Sequence, residues 1–431
     1  MPNPEELLTK RFSGDRPGLA LLGIEKAAVP VTVISTDVLA QEVKQLPLLD
    51  EFVLRLLNVG VGDSEEMAAF LGLDHDLVEA AVADQYREGA VAFGDHPGEL
   101  ALTVRGKQLA VEHESVRPIR KTFKVVFDRL TWSVATYENR ELINKAVAVA
   151  EGRILLPGQH TTRIKREDVS PAAVNSILRS PGRGASIDVL DVIDVTPSTY
   201  KYMPVDVLVY GDPESGDVET AVVVDGDQSD KHESVLNKLG GMEKIGFSVE
   251  RSEPRPGLPR HLEMQRVYPA QGGPLEENSP RVCGIGLLDH PLVLTAALQT
   301  AGSRLLIATG RAVCSVVDAT FLSRLEQRLR SHVEVTLVVP ECDEVTDAAL
   351  NRLAQRGRNR LTLYRPEENP RNLLVYDSYW VESDFPWLSY RGAGRPFRDY
   401  EGSVVAVPDE VDQVYESFLS QIVGEGSARR R

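Results

Sequence analysis

The chain has 431 residues, 42% of them hydrophobic and 26% charged, which predicts two or three domains with ordinary buried cores. Its formal net charge of −16 excludes a general electrostatic coating of nucleic acid, so any such contact needs a local basic patch. The three cysteines are odd in number and form no Cys-x-x-Cys pair, which disfavours a zinc site or a disulfide framework. We therefore expect no metal and no cofactor.

The sequence contains no targeting or membrane signal. The N-terminus lacks a basic start followed by an apolar run, and no stretch approaches about 18 uninterrupted apolar residues. Together with the cysteine usage, this predicts a cytoplasmic protein that has no membrane partner.

Residues 1–46 leave their fold open, although residues 28–35 favour a strand with a helix after it. From Pro47 the apolar spacing and the turn residues predict three helices, a hairpin and a final helix. This order, and the phrase Leu102-Thr103-x-x-Gly106-Lys107 that ends it, resemble a winged helix-turn-helix domain spanning residues 47–113.

The charge of this segment disfavours DNA as its ligand. From residue 61 to residue 100 there are ten acidic residues and one basic residue, Arg87. A DNA recognition helix needs positive charge and hydrogen-bond donors that reach phosphates and base edges. A winged helix that contacts protein is the better interpretation, and only Arg105 and Lys107 in the last helix are modestly basic.

Residues 114–251 predict a β-rich middle domain, with a hairpin formed by the β-branched runs 205–210 and 220–224. A Pro/Gly-rich linker follows at 252–281, and strands then alternate with helices from 282 to 424, before a basic tail at 425–431. The predicted fold class is a multidomain α/β and α+β protein: an N-terminal winged helix, a middle β-rich domain and a C-terminal α/β domain.

The C-terminal α/β domain carries a more specific pattern. A strand at 373–376 is followed by Asp377, by the aromatic segment 385–392 and by the segment 397–402. These pieces resemble the phospholipase D superfamily, as found in bacterial nuclease and defence-type proteins. The resemblance implies a His-x-Lys motif immediately before the strand, with the histidine as nucleophile and the lysine as a phosphate clamp.

That motif is absent from this chain. Pro370 and Asn372 stand where the family has its histidine and lysine, and Asp384 and Pro386 stand at the positions of its later serine and asparagine. Proline is not a nucleophile and asparagine carries no charge. We therefore predict a degenerate phospholipase D-like domain without catalytic residues, in which Pro370, Asn372 and Asp377 mark the altered site.

Two basic clusters are the candidate contacts for nucleic acid or phosphate in the middle domain. The alternative is a solvated face whose charges form internal salt bridges. The clusters are Arg117, Arg120, Lys121 and Lys124 in the first, and Arg163, Lys165 and Arg166 in the second.

These observations predict a non-catalytic binding or scaffold subunit of a bacterial multi-protein system, with antiviral defence or DNA processing as the settings that the resemblance implies. The expected partners are other proteins of a complex, nucleic acid through the basic clusters, and a second copy of the chain. A homodimer through the C-terminal domain is expected because active phospholipase D sites are built from two facing units. Two alternatives remain: a transcription regulator with an effector-sensing C-terminal domain, and an active phosphodiesterase.

Overall fold

The computed structural model describes residues 4–94, 98–112, 114–179, 187–212, 215–251, 257–268, 280–357, 359–368 and 370–428. Within those ranges, none of the helices combines the length and the apolar character that crossing a bilayer requires. The three terminal arginines at 429–431 and most of the predicted linker at 252–281 lie outside the described residues.

The mixed α/β class predicted from the sequence is confirmed by the element order. The first half contains α1 (Pro4–Phe12), β1 (Ala20–Gln45), α2 (Leu48–Asn58), α3 (Ser64–Leu71), α4 (His75–Arg87), β2 (Val91–Phe93), β3 (Leu100–Leu102), α5 (Val104–Glu112), β4 (Glu114–Asp128), β5 (Ser133–Ala135), α6 (Lys145–Ala150), β6 (Ile154–Leu155), α7 (Pro171–Leu178), β7 (Ile187–Gly211), β8 (Val218–Val224), β9 (Asp227–Gln228), α8 (Asp230–Lys238), α9 (Gly241–Lys244) and β10 (Ser248–Val249). The second half contains α10 (Arg260–Glu263), β11 (Val282–Ile285), α11 (Asp289–Thr300), β12 (Arg304–Ala308), β13 (Arg311–Ala312), α12 (Ala319–Arg330), β14 (Glu334–Val338), β15 (Glu341–Cys342), α13 (Glu344–Arg356), β16 (Leu361–Tyr364), β17 (Leu373–Tyr376), β18 (Tyr379–Ser383), β19 (Pro396–Phe397), β20 (Gly402–Val405) and α14 (Pro408–Ala428).

The middle sheet is built on one very long strand. β1 has 26 residues and pairs antiparallel with β4 on one side and with β7 on the other. The helix expected after residue 35 is wrong, because residues 36–45 continue β1 and alternate between the two faces of the sheet. Three bulges between β1 and β7, at residues 33–40 of β1, interrupt the regular pairing of this part of the sheet.

Residues 48–112 form a unit, here called the tip domain, that is inserted at the end of the β1–β4 ribbon. Gln45 pairs with Glu114, so the chain leaves and re-enters the ribbon at neighbouring positions. Its three helices, hairpin and last helix have the order predicted from the sequence. The glycine of the segment Leu102-Thr103-x-x-Gly106-Lys107 has a steric role, because a Cβ at Gly106 would lie 2.0 Å from the Ala90 carbonyl oxygen.

The C-terminal sheet has seven strands in the order β11-β20-β18-β17-β12-β14-β16. β12, β14 and β16 are parallel to one another, whereas β17 runs antiparallel to β12 and β18 antiparallel to β17. α11, α12 and α13 cover one face, and α14 packs on the other. The sequence analysis predicted most of these elements but missed β11 and β18.

The two sheets are joined by direct contacts. β10 of the middle domain pairs with β19 of the C-terminal domain, and Phe397 is fully buried between them. A Cβ at Gly23 of β1 would lie 2.6 Å from the Phe397 ring, so a glycine allows this close approach. Lys26 of β1 also forms a 2.9 Å ion pair with Asp318.

Candidate functional site

Pro370 and Asn372, the positions that the sequence resemblance singles out, lie at one end of the C-terminal sheet. The parallel strands β12, β14 and β16 end there, and the antiparallel strand β17 begins there, directly after Asn372. The carboxyl ends of parallel strands are the usual place for a ligand in an open α/β sheet. The structure therefore brings Pro370 and Asn372 to a position suited to binding, beside the end of β18.

Polar side chains at this sheet end already satisfy one another. The Asn372 side-chain amide donates to the Asp384 carbonyl oxygen at 2.8 Å, which ties the start of β17 to the segment after β18. Arg371 lies 3.8 Å from Glu382, whose carboxylate also accepts a 3.0 Å hydrogen bond from the Trp380 indole. Burial raises the pKa of Glu382, although the charge of Arg371 and the hydrogen bond from Trp380 lower it.

His290 is the histidine that the structure places beside this end of the sheet. It is fully buried, and its ring stacks on Phe385 at a centroid distance of 4.6 Å. Nδ1 lies 2.8 Å from the Gly286 carbonyl oxygen and Nε2 lies 2.7 Å from the Ser383 hydroxyl, so both ring nitrogens have partners. Burial lowers the pKa of His290 to about 4. Neither ring nitrogen of His290 therefore points at open space at the end of the sheet.

Asp377, the third residue that the sequence analysis singled out here, bonds the start of β12. Its carboxylate accepts hydrogen bonds from the backbone N–H groups of Gly302, Ser303 and Arg304 and from the Ser303 hydroxyl. Burial raises the pKa of Asp377, but these hydrogen bonds lower it by more, so the pKa falls below its usual range. The residue holds the β17–β18 turn against the start of β12, at the end of β17 opposite Asn372.

Several members of the basic clusters are paired with aspartates. Arg120 lies 3.3 Å from Asp37 of β1, and Arg166 lies 2.9 Å from Asp191 of β7. The remaining members whose side chains are described are exposed: Lys121, Lys124, Arg163 and Lys165. The side chain of Arg117 lies outside the described residues. Arg120 and Arg166 are exposed as well, so the clusters differ in aspartate pairing and not in their exposure to solvent.

The tip domain carries an apolar groove with an acidic rim. The groove, of about 680 Å³, lies between α4 and the β2–β3 hairpin. Its apolar wall contains Tyr86 and Phe93, whose rings are 5.3 Å apart and which are 49% and 68% exposed. The charged residues that line it are Asp63, Glu65, Glu79 and Arg87, of which Arg87 is paired with Asp84 at 2.6 Å.

A second cavity, of about 430 Å³, lies between α1, β1 and the segment 385–395 of the C-terminal domain. Glu25, only 1% exposed, accepts a 2.8 Å hydrogen bond from Arg395 and a 2.5 Å hydrogen bond from the Gly392 backbone N–H. Arg391 is paired with Glu5 of α1. These buried ion pairs hold α1 and β1 against the C-terminal domain.

Comparisons with known proteins find similarities only among solved structures. No family profile matches the sequence, and no curated protein matches it. Nuc, a phospholipase D family member from Salmonella typhimurium, is similar at 13% identity over 33% of this chain and 94% of its own, with a TM-score of 0.26. TrmBL2, an archaeal chromatin protein with a novel mode of DNA binding, is similar at 14% identity over 34% of this chain and 54% of its own, with a TM-score of 0.26.

Phosphatidylserine synthase from Haemophilus influenzae is similar at 12% identity over 33% of this chain and 38% of its own, with a TM-score of 0.25. Phospholipase D family members and a DNA-binding protein are therefore among the structural neighbours. TM-scores near 0.26 are too low to establish a common fold, so these similarities do not decide the function of this chain.

At two candidate sites the structure brings together residues that the sequence patterns did not indicate. The patterns did not single out Arg371, Glu382 or His290 at the end of the C-terminal sheet, and they did not foresee the Tyr86–Phe93 pair as the wall of a groove. The acidic content of the tip domain was visible in the sequence, but the groove depends on how α4 packs against the hairpin.

Proposed function

We propose that this chain is a binding subunit of a multi-protein assembly, and that the tip domain contacts a partner protein. The observation that carries the proposal is the apolar, acid-rimmed groove at the far end of a ribbon in which 15 residues of β4 pair with β1. Paired strands of that length span about 50 Å, so the groove lies well away from the C-terminal sheet. The resemblance to phospholipase D-like proteins suggests antiviral defence or DNA processing as the setting of this assembly.

The exposed face of α4 supports a protein partner over DNA. Three acidic residues of α4 face solvent, Asp76, Glu79 and Asp84. The basic residue on this face is Arg87, which is paired with Asp84. A helix with this charge is repelled by phosphates, whereas exposed aromatic side chains are typical anchors of protein interfaces. Charge complementarity makes the partner a basic segment with an apolar or aromatic anchor.

The C-terminal domain, in this proposal, is a degenerate phospholipase D-like domain without phosphodiesterase activity. Pro370 and Asn372 supply neither a nucleophile nor a cation, and the amide of Asn372 is already bonded to the Asp384 carbonyl oxygen. His290 is buried, with both ring nitrogens bonded. The domain then acts as a rigid platform that fixes the ribbon and the tip domain.

The experiment is a fluorescence anisotropy titration of the full chain with two labelled peptides of equal length. One is a Lys/Arg-rich amphipathic peptide that contains a tryptophan, and the other has each basic residue replaced by glutamate. The basic peptide is expected to bind, and Phe93→Ala with Glu79→Lys should weaken its binding by at least tenfold, or about 1.4 kcal/mol.

The matched control is Phe70→Ala with Glu66→Lys, which changes exposed residues of the same types outside the groove. This control should bind the basic peptide as the unmodified chain does. Equal binding of both peptides, or equal loss in both double variants, would contradict the assignment of the groove.

Nucleic-acid binding is a second candidate function, favoured by the exposed lysines and Arg163 of the basic clusters. Replacing Lys121, Lys124, Arg163 and Lys165 with glutamate should weaken any binding and flatten its salt dependence. Arg120 and Arg166 are expected to contribute less, because aspartates already neutralise them. Binding that is unchanged in the four-site variant would exclude these residues as the contact.

A further inference from the structure

A buried hydrogen-bonded chain of Asp128, His232 and Ser229 lies in the middle domain, and its residues belong to neither the groove of the tip domain nor the end of the C-terminal sheet. The Asp128 carboxylate and His232 Nε2 are 2.7 Å apart, and His232 Nδ1 and the Ser229 hydroxyl are 2.7 Å apart. Asp128 is 1% exposed and His232 is 6% exposed, whereas Ser229 is partly exposed. The chain therefore leads from a buried carboxylate to the hydroxyl of a residue that is only partly buried.

The carboxylate is fixed from four directions. One oxygen of Asp128 accepts hydrogen bonds from the backbone N–H groups of Leu130 and Thr131, both at 2.8 Å. The other oxygen accepts the Tyr137 hydroxyl at 2.8 Å and faces His232. Burial raises the pKa of Asp128, but the hydrogen bonds from His232, the Thr131 backbone and Tyr137 lower it below its usual range. Asp128 is therefore ionised, and its carboxylate accepts hydrogen bonds without donating any.

An ionised Asp128 favours one tautomer of the imidazole. His232 Nε2 faces the Asp128 carboxylate and also lies 3.0 Å from the Tyr137 hydroxyl, which donates to the same carboxylate. In the tautomer with its hydrogen on Nε2, that hydrogen points at the carboxylate and Nδ1 can accept from the Ser229 hydroxyl. Ser229 precedes α8, yet its side chain does not cap that helix. Helix N-termini carry N–H groups without intrahelical acceptors, and α8 begins directly after Ser229, which makes these groups the candidate oxyanion donors.

We propose that Ser229 is a nucleophile for acyl esters, with His232 as its general base and Asp128 as the positioning residue. The Ser229 oxygen forms a bond to the ester carbonyl carbon while its proton moves to His232 Nδ1. The imidazolium then gives that proton to the departing alkoxide as the carbon–oxygen bond breaks, which leaves an acyl-serine. Water repeats the cycle and releases the carboxylic acid. This activity goes beyond the proposed binding function and is independent of the C-terminal domain.

The test is labelling of the full chain with a fluorophosphonate probe, followed by intact mass and peptide mapping. The serine oxygen displaces fluoride from phosphorus, so one adduct on Ser229 is expected. Ser229→Ala should abolish it, and His232→Gln and Asp128→Asn should slow it by at least roughly 100-fold. Ser133→Ala is the matched control, because Ser133 is a neighbouring serine that bonds Lys231 and Thr131 but not His232.

Labelling of the unmodified chain is the decisive result, because it does not depend on whether a variant folds. Absence of an adduct, or an adduct on another serine, would overturn the proposal and reduce the three residues to a packing network. Ser133→Ala should label at the rate of the unmodified chain. If Ser229→Ala labels equally well, the proposal fails too.

Discussion

Single side chains decide what the end of the C-terminal sheet can do. Asn372 bonds a carbonyl oxygen, Glu382 bonds Trp380 and lies beside Arg371, and His290 is occupied at both nitrogens. A phosphodiesterase of the type that the sequence resembles needs a free imidazole nitrogen and a fixed cation at one phosphorus atom. The residues present satisfy one another, which is typical of a structural junction.

His290 predicts a pH-dependent stability. Its pKa of about 4 in the folded chain lies below its ordinary value of 6.5, so the unfolded chain binds the proton more tightly. The free energy of unfolding should therefore fall as the pH drops from about 6.5 to about 4, by up to about 3 kcal/mol. Urea unfolding at pH 7.5 and pH 5 measures this difference.

The control for this prediction is a second histidine substitution. His290→Gln should remove most of the pH dependence over that range, whereas His261→Gln, at an exposed histidine bonded to Glu410, should retain it. An unchanged pH dependence in His290→Gln would show that another group titrates.

At the scale of elements, the tip domain depends on one close backbone approach. Gly106 in α5 packs against the Ala90 carbonyl, and a Cβ there would lie 2.0 Å from the oxygen. Gly106→Ala should therefore destabilise the tip domain by about 2 kcal/mol, as overpacking does elsewhere. Hydrogen exchange of residues 48–112 measures the loss. Gln108→Ala, an exposed change on the same helix, should leave the exchange rates unaltered.

The sequence allowed the order of elements to be predicted where apolar periodicity and turn residues agree, as in β12, α12 and β16. The length of β1 was not predicted, because residues 36–45 show only a weak alternation of apolar and polar side chains. This segment is extended because it pairs with the long strands β4 and β7 on either side. The Asp128–His232 pair could not be predicted from the sequence for a different reason. The two residues are 104 positions apart and come into contact only in the folded protein.

At the scale of the whole molecule, the tip domain should be removable. Gln45 and Glu114 are paired neighbours, so an Asn-Gly turn can replace residues 46–113 and close the ribbon as a hairpin. The shortened chain should keep the cooperative unfolding of the rest and lose binding of the basic peptide. An insoluble or molten product would show that the tip domain is needed for the fold of the ribbon.

Self-association is a further expectation for the whole molecule. A homodimer through the C-terminal domain would pair two sheet ends, as the resemblance to phospholipase D proteins implies. Light scattering at micromolar concentration should then give twice the mass of the chain, and a monomer would contradict the expectation. Arg391 and Arg395 are expected to contribute little to such an interface, because Glu5 and Glu25 of the same chain already pair with them.

The proposal that the tip domain contacts protein and not DNA can be tested with a DNA duplex. Binding of a labelled DNA duplex is followed by fluorescence anisotropy between about 50 and about 200 mM salt, a range over which affinity that depends on phosphate contacts falls strongly. The unmodified chain is compared with the double variant Arg105→Glu with Lys107→Glu. Both side chains are exposed on α5 and are the basic residues a DNA-reading tip domain would use. The account predicts superimposable curves for the two proteins. Duplex binding by the unmodified chain that the double variant loses would contradict it and make the tip domain the DNA reader.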